Sequence, residues 1–247
     1  MQSFGQTFKV IPSIDSTNNY AMQMVHARLA KHGDVWFALE QTSGKGQRGK
    51  SWQSSKGENI LFSIVLQPFF LIPTQSFLLN AAIALGVFDF YKKYAGHETR
   101  IKWPNDIYWR DRKAGGILIE NIIRAENWLF AVAGIGLNIN QVHFPEYLQK
   151  AISLRQVTGK DFDAIELAEE LCFFLEQRYE ALKAGKEKEI LHDYRKAMYK
   201  RKEQVVLKKD GLLFKALVKD VTTDGLLVVE TENNEQKLLW GTIEWIV

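Results

Sequence analysis

The chain has 247 residues, 46% hydrophobic and 25% charged, an ordinary globular composition with enough length for one or two cores. With 32 basic against 29 acidic residues the net charge is +3, too slight to argue for nucleic acid. The single cysteine, Cys172, excludes an internal disulfide and fits a reducing cytoplasm; its apolar helical surroundings read as core rather than as a nucleophile's site. Residues 1–6 lack the basic start and apolar run of a signal peptide, no apolar run approaches the roughly 20 residues of a membrane span, and no His or Cys spacing calls for zinc.

Residues 10–15 read as a short strand or lead-in. A helix then opens at Ser16, Thr17 and Asn18, carries Ala21, Met24, Val25 and Leu29 on one face, and closes near Gly33. One of the three polar residues serves as a cap; three in a row exceed that need, so a ligand contact stands beside capping. Residues 35–40 form a strand that delivers a glycine-rich loop, 41–52.

In that loop Gly44, Gly46 and Gly49 free the backbone for close approach, and Lys45, Arg48 and Lys50 supply cations with no acid between Gln41 and Lys56. Bare N–H groups plus cations make a phosphate cradle, against the plainer reading of a solvated basic hairpin. Trp52 offers a flat face to a purine. The spacing Gly44-x-Gly46-x-x-Gly49 matches a dinucleotide fingerprint only formally, because no helical period and no acid follow; nor is the loop read as a Walker A loop. Glycines and self-repelling charges predict a loop that moves in the free protein.

Residues 59–66 are a nearly continuous apolar strand, buried on both faces. A helical period returns over 76–94. The stretch 100–109 turns at Pro104, Asn105 and Asp106, and residues 114–120 re-enter the sheet. A plain hairpin with a charged tip is one reading; Lys102, Asp106 and Lys113 gathered beside Trp103, Gly115 and Gly116 are heavy for it. Residues 128–140 form another buried strand, where Gly134 and Gly136 strip one face for a ligand or another backbone. An exposed edge near 128–137 could pair with a partner or a second copy. Helices follow at 163–183 and 187–199. From residue 203 the pattern changes to short strands at 204–208, 212–219, 226–230, 237–240 and 242–246, with turns at Asp210-Gly211, Asp224-Gly225 and Asn233-Asn234. These predict a small barrel appended to a mixed α/β domain.

Taken together these motifs resemble the biotin protein ligases. The resemblance rests on four motifs in order: the loop Gly44-Lys45-Gly46-Gln47-Arg48-Gly49-Lys50-Ser51-Trp52; Lys102-Trp103-Pro104-Asn105-Asp106; Asp111-Arg112-Lys113 with Gly116-Ile117-Leu118; and Gly134-Ile135-Gly136-Leu137-Asn138. It implies an α+β fold: a catalytic domain like that of class II aminoacyl-tRNA synthetases over 1–202, a mixed sheet flanked by helices, then an SH3-like β-barrel over 203–247. It also implies that ATP and biotin, with Mg2+, yield biotinyl-5′-AMP, whose acyl group passes to a lysine of a biotin carboxyl carrier domain.

The resemblance assigns roles. Ser16, Thr17, Asn18 and Gln41 resemble the contacts to the biotin ureido ring, and Gly116, Gly134 and Gly136 would leave room for its rings. Gly44, Lys45 and Gly46 belong to a loop closing over biotin and adenylate, with Gln47 and Arg48 on the nucleotide side. Lys113 looks like the main electrostatic catalyst, assisted by Lys45. Trp52 and Asn138 would hold adenine, with Lys102 and Asn105 near the nucleotide. Asp106 either orients Lys113 or binds magnesium.

This chain departs from the family pattern at Lys45 and Gln47, where arginine is favoured, so looser retention of the adenylate is implied. About 15 residues precede Ser16, too few for the three-helix DNA-binding module of some members, so no repressor function, DNA or membrane partner is expected. A homodimer remains open. The nearest alternatives are a lipoate or octanoyl ligase, disfavoured by Ser16-Thr17-Asn18 and the Lys102 to Asp106 motif, and a non-catalytic sensor, disfavoured by the presence of Lys113.

Overall fold

A computed structural model describes residues 3–232 and 234–246. The expected turn at Asn233-Asn234 therefore lies partly outside the described residues. Two sheets organise the chain. The larger has seven strands: β1 (Phe8–Ile11), β2 (Val35–Ala38), β3 (Asn59–Leu66), β4 (Thr99–Lys102), β5 (Asp106–Trp109), β6 (Arg112–Arg124) and β7 (Asn127–Asn138), in the order β1-β2-β3-β7-β6-β5-β4. Only β1 and β2 run parallel; the other neighbours are antiparallel.

The two faces of this sheet have separate tasks, and strand periodicity sorts them. Ile60, Phe62, Ile64 and Leu66 of β3, with Ala133, Ile135 and Leu137 of β7, join the main core. Against them pack α2 (Ser76–Ala95) and α4 (Ala164–Lys183), with α5 (Glu187–Ala197) beyond. The alternate residues Val65 and Val132 face α1 (Thr17–His26), which buries Ala21 and Val25 against them and Trp36. Along this second face, past the start of α1, lie Ser63, Gly134, Gly136 and Gly116; Ser63 pairs with Gly134, and Gly136 with Gly116.

Three expectations change. Helix α1 stops at His26 rather than near Gly33, and Leu29 lies beyond it, 68% exposed. The apolar spacing that reached Leu29 was coincidence; Arg28, at φ 61°, has already left the helical region. A short helix, α3 (Leu154–Thr158), capped by Ser153 and Gln156, was not anticipated. The edge strand expected near 128–137 is interior over 131–137, where β7 pairs with β3 on one side and β6 on the other; over 127–130 it pairs with β6 alone, so among the described residues only that short stretch keeps a side without a ladder.

The smaller sheet joins β8 (Gln204–Lys209), β9 (Leu212–Val221), β10 (Leu227–Glu230), β11 (Glu235–Leu238) and β12 (Glu244–Ile246) in the order β11-β10-β9-β8-β12, all antiparallel. This is the expected SH3-like module. Its end strands β11 and β12 share no ladder among the described residues, so it is an open sheet rather than a closed barrel. It is anchored to the larger unit by Trp103 Nε1, which donates to Gly225 O at 3.0 Å, and by Arg195, whose guanidinium donates to Val221 O and pairs with Asp220. Among the described residues no helix is long and apolar enough to cross a membrane. Cys172 is buried and unpaired, as its surroundings implied.

Candidate active site

A cavity of about 770 Å³ opens on the glycine-stripped face of the larger sheet. Its walls carry every residue to which the resemblance gives a site role except Gly44, together with a wall from the smaller sheet's module (Trp240, Gly241, Ile243, Glu244 and Trp245) that sequence reasoning did not foresee.

One end of the cavity is neutral and rich in hydrogen bonds. Ser16 holds the N-cap position of α1, yet its side chain makes no capping bond. Thr17 and Asn18 do not cap either. The Thr17 backbone N–H donates to Gln41 Oε1 at 2.8 Å, and Thr17 Oγ1 lies 3.1 Å from the same oxygen. Asn18 Nδ2 donates to Glu120 Oε2 at 2.8 Å and to Leu118 O at 3.3 Å, while Ser63 Oγ donates to Asn18 Oδ1 at 2.6 Å. The surplus polarity of 16–18 is thus spent on a network across the sheet. Ser63 and Glu120 are the members that were missed. Ser63 had a signal, being the one hydroxyl inside the apolar run 59–66.

The other end is cationic. Lys113 Nζ lies 2.7 Å from Asp106 Oδ1, a pair the antiparallel β5–β6 ladder brings together across a register shift. Lys102, from β4, donates to Tyr108 OH at 3.0 Å and sits 4.7 Å from the Tyr108 ring centroid and 5.6 Å from that of Trp245. Burial pulls the Lys102 ammonium down to about 8; Asp106 opposes that shift, and Lys113, Lys150 and Lys50 add to it. Lys45, Arg48 and Lys50 approach from the loop.

The loop is a small hairpin. Lys45 bridges Ser51, Gly46 N–H donates to Lys50 O at 2.6 Å, and Trp52 N–H donates to Gly44 O at 2.8 Å. Gly44 has no room for a side chain, since a Cβ there would stand 2.5 Å from Trp52 O. Contrary to the reading above, residues 44–51 do fit the P-loop spacing Gly-x-x-x-x-Gly-Lys-Ser. The fold nevertheless sets it apart: a P-loop feeds a helix, whereas this hairpin holds one 3-10 turn, Gln47–Gly49, and leads on to β3.

The strand glycines make room first for the protein's own groups. A Cβ on Gly134 would lie 2.2 Å from Asn18 Oδ1, one on Gly136 2.6 Å from the Trp52 indole, and one on Gly116 3.3 Å from Lys113 Nζ. Asn138 is buried and its amide donates to Ile152 O at 3.3 Å and Lys113 O at 3.4 Å, so part of its capacity supports the Lys113 backbone. Asn105 and Gln47 both donate to Ile117 O, Gln47 at 3.0 Å. For a metal the protein offers little: among the described residues no three His, Cys, Asp or Glu side chains come together.

The chain is similar to known proteins in sequence and in fold. The model of the Biotin/lipoate A/B protein ligase family matches residues 10–140. A Bifunctional ligase/repressor BirA from Bacillus spizizenii is 34% identical over 170 residues, covering 67% of this chain and 51% of that protein. A Biotin--[acetyl-CoA-carboxylase] ligase from Mycobacterium tuberculosis is 31% identical over 136 residues, covering 53% of this chain and 49% of that one. The chain spans about half the length of the curated relatives it matches. In fold, it superposes on a biotin protein ligase from Aquifex aeolicus in complex with biotin and ATP with a TM-score of 0.83, at 24% identity, over 98% of this chain and 99% of that one.

Proposed function

Because the chain belongs to the biotin/lipoate A/B protein ligase family, we propose that it activates biotin with ATP and transfers it to a lysine of a biotin carboxyl carrier domain. The observation that carries this reading is the two-ended cavity: a neutral end of Thr17, Asn18 and Gln41 joined to a cationic end of Lys45, Arg48, Lys50, Lys102 and Lys113. A cyclic urea exchanges hydrogen bonds with the first, whereas a dithiolane has no N–H or carbonyl to offer it. A triphosphate suits the second.

The chemistry requires both ends. A carboxylate acylates an amine poorly because oxide is a poor leaving group, so it is first converted to a mixed anhydride. A carboxylate oxygen attacks the α-phosphorus, the bond to the β-phosphate oxygen breaks, and pyrophosphate departs with that electron pair. Two anions meet in this step, so fixed cations lower its barrier. Lys113, oriented by Asp106, is placed to neutralise both; Lys102 and the loop cations hold the phosphates. In the second step a carrier amine attacks the acyl carbon, AMP leaves, and the amine loses its proton.

Magnesium would ride mainly on the ATP phosphates, its usual mode when few protein ligands exist. Asp106, one oxygen committed to Lys113, would be the carboxylate to share in holding it. The buried, unpaired Cys172 accords with a cytoplasmic setting. We assign residues 1–202 to the catalytic unit and 203–247 to the appended sheet, although that sheet also lends the cavity a wall.

The test is transfer of labelled biotin to a purified apo carrier domain in the presence of ATP. Transfer of biotin but not of lipoate supports the reading, and transfer of lipoate alone refutes it.

Two further outcomes follow. Lys102 serves the phosphates as a cation, and a free-enzyme ammonium titrating near 8 is charged below that pH. The kcat/KM for ATP should therefore fall as pH rises through about 8, a limb that a pH–rate profile would show and that Lys102→Arg should remove. Gln47 supplies no charge to the adenylate, so purified protein should leak biotinyl-adenylate on gel filtration. Gln47→Arg should slow that leak about tenfold, the worth of roughly 1.4 kcal/mol. Retention by the wild type without measurable loss would contradict this.

A further inference from the structure

The network behind Thr17 has a direction, and the direction selects the ligand. Glu120 Oε2 and Leu118 O both face Asn18 Nδ2, at 2.8 and 3.3 Å. A carboxylate and a carbonyl only accept, so the Asn18 amide must present its NH₂ to them and its Oδ1 to Ser63. The reverse orientation would set Oδ1 against two acceptors. Ser63 is fully buried, and it has one proton and two oxygens within reach: Asn18 Oδ1 at 2.6 Å and Thr17 Oγ1 at 2.7 Å. Asn18 Oδ1 has no proton of its own, so the Ser63 proton goes there. The short Ser63–Thr17 contact is then filled by the Thr17 proton. The longer alternative for that proton, Gln41 Oε1 at 3.1 Å, already accepts the Thr17 backbone N–H at 2.8 Å.

Thr17 Oγ1 is left with lone pairs and no proton to give. We propose that Glu120 and Ser63 are positioning residues that turn Thr17 into an obligate acceptor, so that the cavity selects an acid whose head group carries a ring N–H. This rests on the proposed biotin-ligase reading and deepens it, because the relay explains discrimination between the two acids served by this family. A ureido ring has the N–H; a dithiolane does not. Gly134 completes the device, since only a residue without a Cβ lets the Asn18 amide lie where it meets Ser63, Leu118 and Glu120 together.

The probe pair is biotin and its analogue with both ureido N–H groups replaced by ring oxygens, which has the same shape and cannot donate. Calorimetry on the whole chain measures both, with ATP affinity as the control for an intact cavity. Wild type should prefer biotin by about a hundredfold or more, as sites built for an N–H reject its isostere. Ser63→Ala cuts the relay, and Glu120→Lys inverts it by placing a donor against Asn18. Both should lose at least about tenfold of that selectivity, while Glu120→Gln, which can still accept, stays within about threefold of wild type. A merely structural role would weaken both ligands alike and leave the ratio untouched. Unchanged selectivity in Ser63→Ala and Glu120→Lys with normal ATP affinity overturns the relay and spares the ligase reading. A wild type that binds lipoate and not biotin overturns that reading itself.

Discussion

Lys113→Ala should lower the rate of biotinyl-adenylate formation by about a thousandfold in single turnover, the upper range for loss of one preorganised charge donor. The lysine Nζ sits 2.7 Å from Asp106 Oδ1 and its side chain is 35% exposed, so it is held in place yet open to the cavity. In the proposed mechanism its cationic neighbours, Lys102 and the loop residues, hold the phosphates whether or not Lys113 is present. Affinity for ATP should therefore change far less than the chemical step. Stability should hardly move, because the pair is partly solvated and such pairs contribute about 0–1 kcal/mol. Lys113→Arg restores charge in a longer, planar group, and partial recovery is expected. Quench-flow with labelled ATP and saturating biotin reads the step directly. A variant that forms adenylate at the wild-type rate would remove Lys113 from the mechanism.

The second large effect is predicted at Gly134→Ala. The added methyl would stand 2.2 Å from Asn18 Oδ1 and 2.8 Å from its Cγ, so the whole amide must leave. Asn18 then loses its bonds to Ser63, Leu118 and Glu120, and Ser63 remains buried with one acceptor fewer. Unmade buried hydrogen bonds cost about 1–3 kcal/mol each, so a loss near 3 kcal/mol and a fall in Tm of roughly 6–12 °C are expected. Biotin affinity should drop by about a hundredfold or more as Thr17 loses its setting. Gly115→Ala is an instructive contrast. There the methyl would meet Leu137 Cδ2 at 2.2 Å and Gly136 O at 2.8 Å, backbone and core rather than the polar network. It should destabilise the sheet without the selective effect on biotin. Melting curves and calorimetry on the two variants separate these cases.

The sequence carried the parts of the fold that follow from local pattern. The strand over 59–66 and the helix over 76–95 were legible because an unbroken apolar run and a long helical period each have one natural solution. Strand order was not legible. Nothing local in residues 127–138 says that β3, some 70 residues earlier, pairs along 131–138, so a strand that is interior over most of its length was taken for an edge. The strand glycines stood out as sites of close approach by a ligand or another backbone; the three-dimensional arrangement shows the side chains of Asn18, Trp52, Asp106 and Lys113 over them instead.

For the site, the cationic loop and the pairing of Lys113 with Asp106 were within reach, since motif chemistry pointed to each group. The neutral end was half seen. Ser16, Thr17 and Asn18 stood out as too polar for a cap, and the structure shows that their side chains do not cap the helix at all. Glu120 escaped because it looks ordinary in its own strand; Ser63, though the one hydroxyl in its apolar run, gains a role only through partners brought together across the sheet. Trp245 escaped for the same reason: its relation to Lys102 crosses from the small sheet to the large one.

The most direct test of the central claim is exchange of labelled pyrophosphate into ATP by the wild-type chain. The account predicts exchange that requires biotin, is not supported by lipoate and needs no carrier domain, because adenylation precedes transfer. Exchange driven by lipoate in place of biotin, or none with either acid, would contradict it.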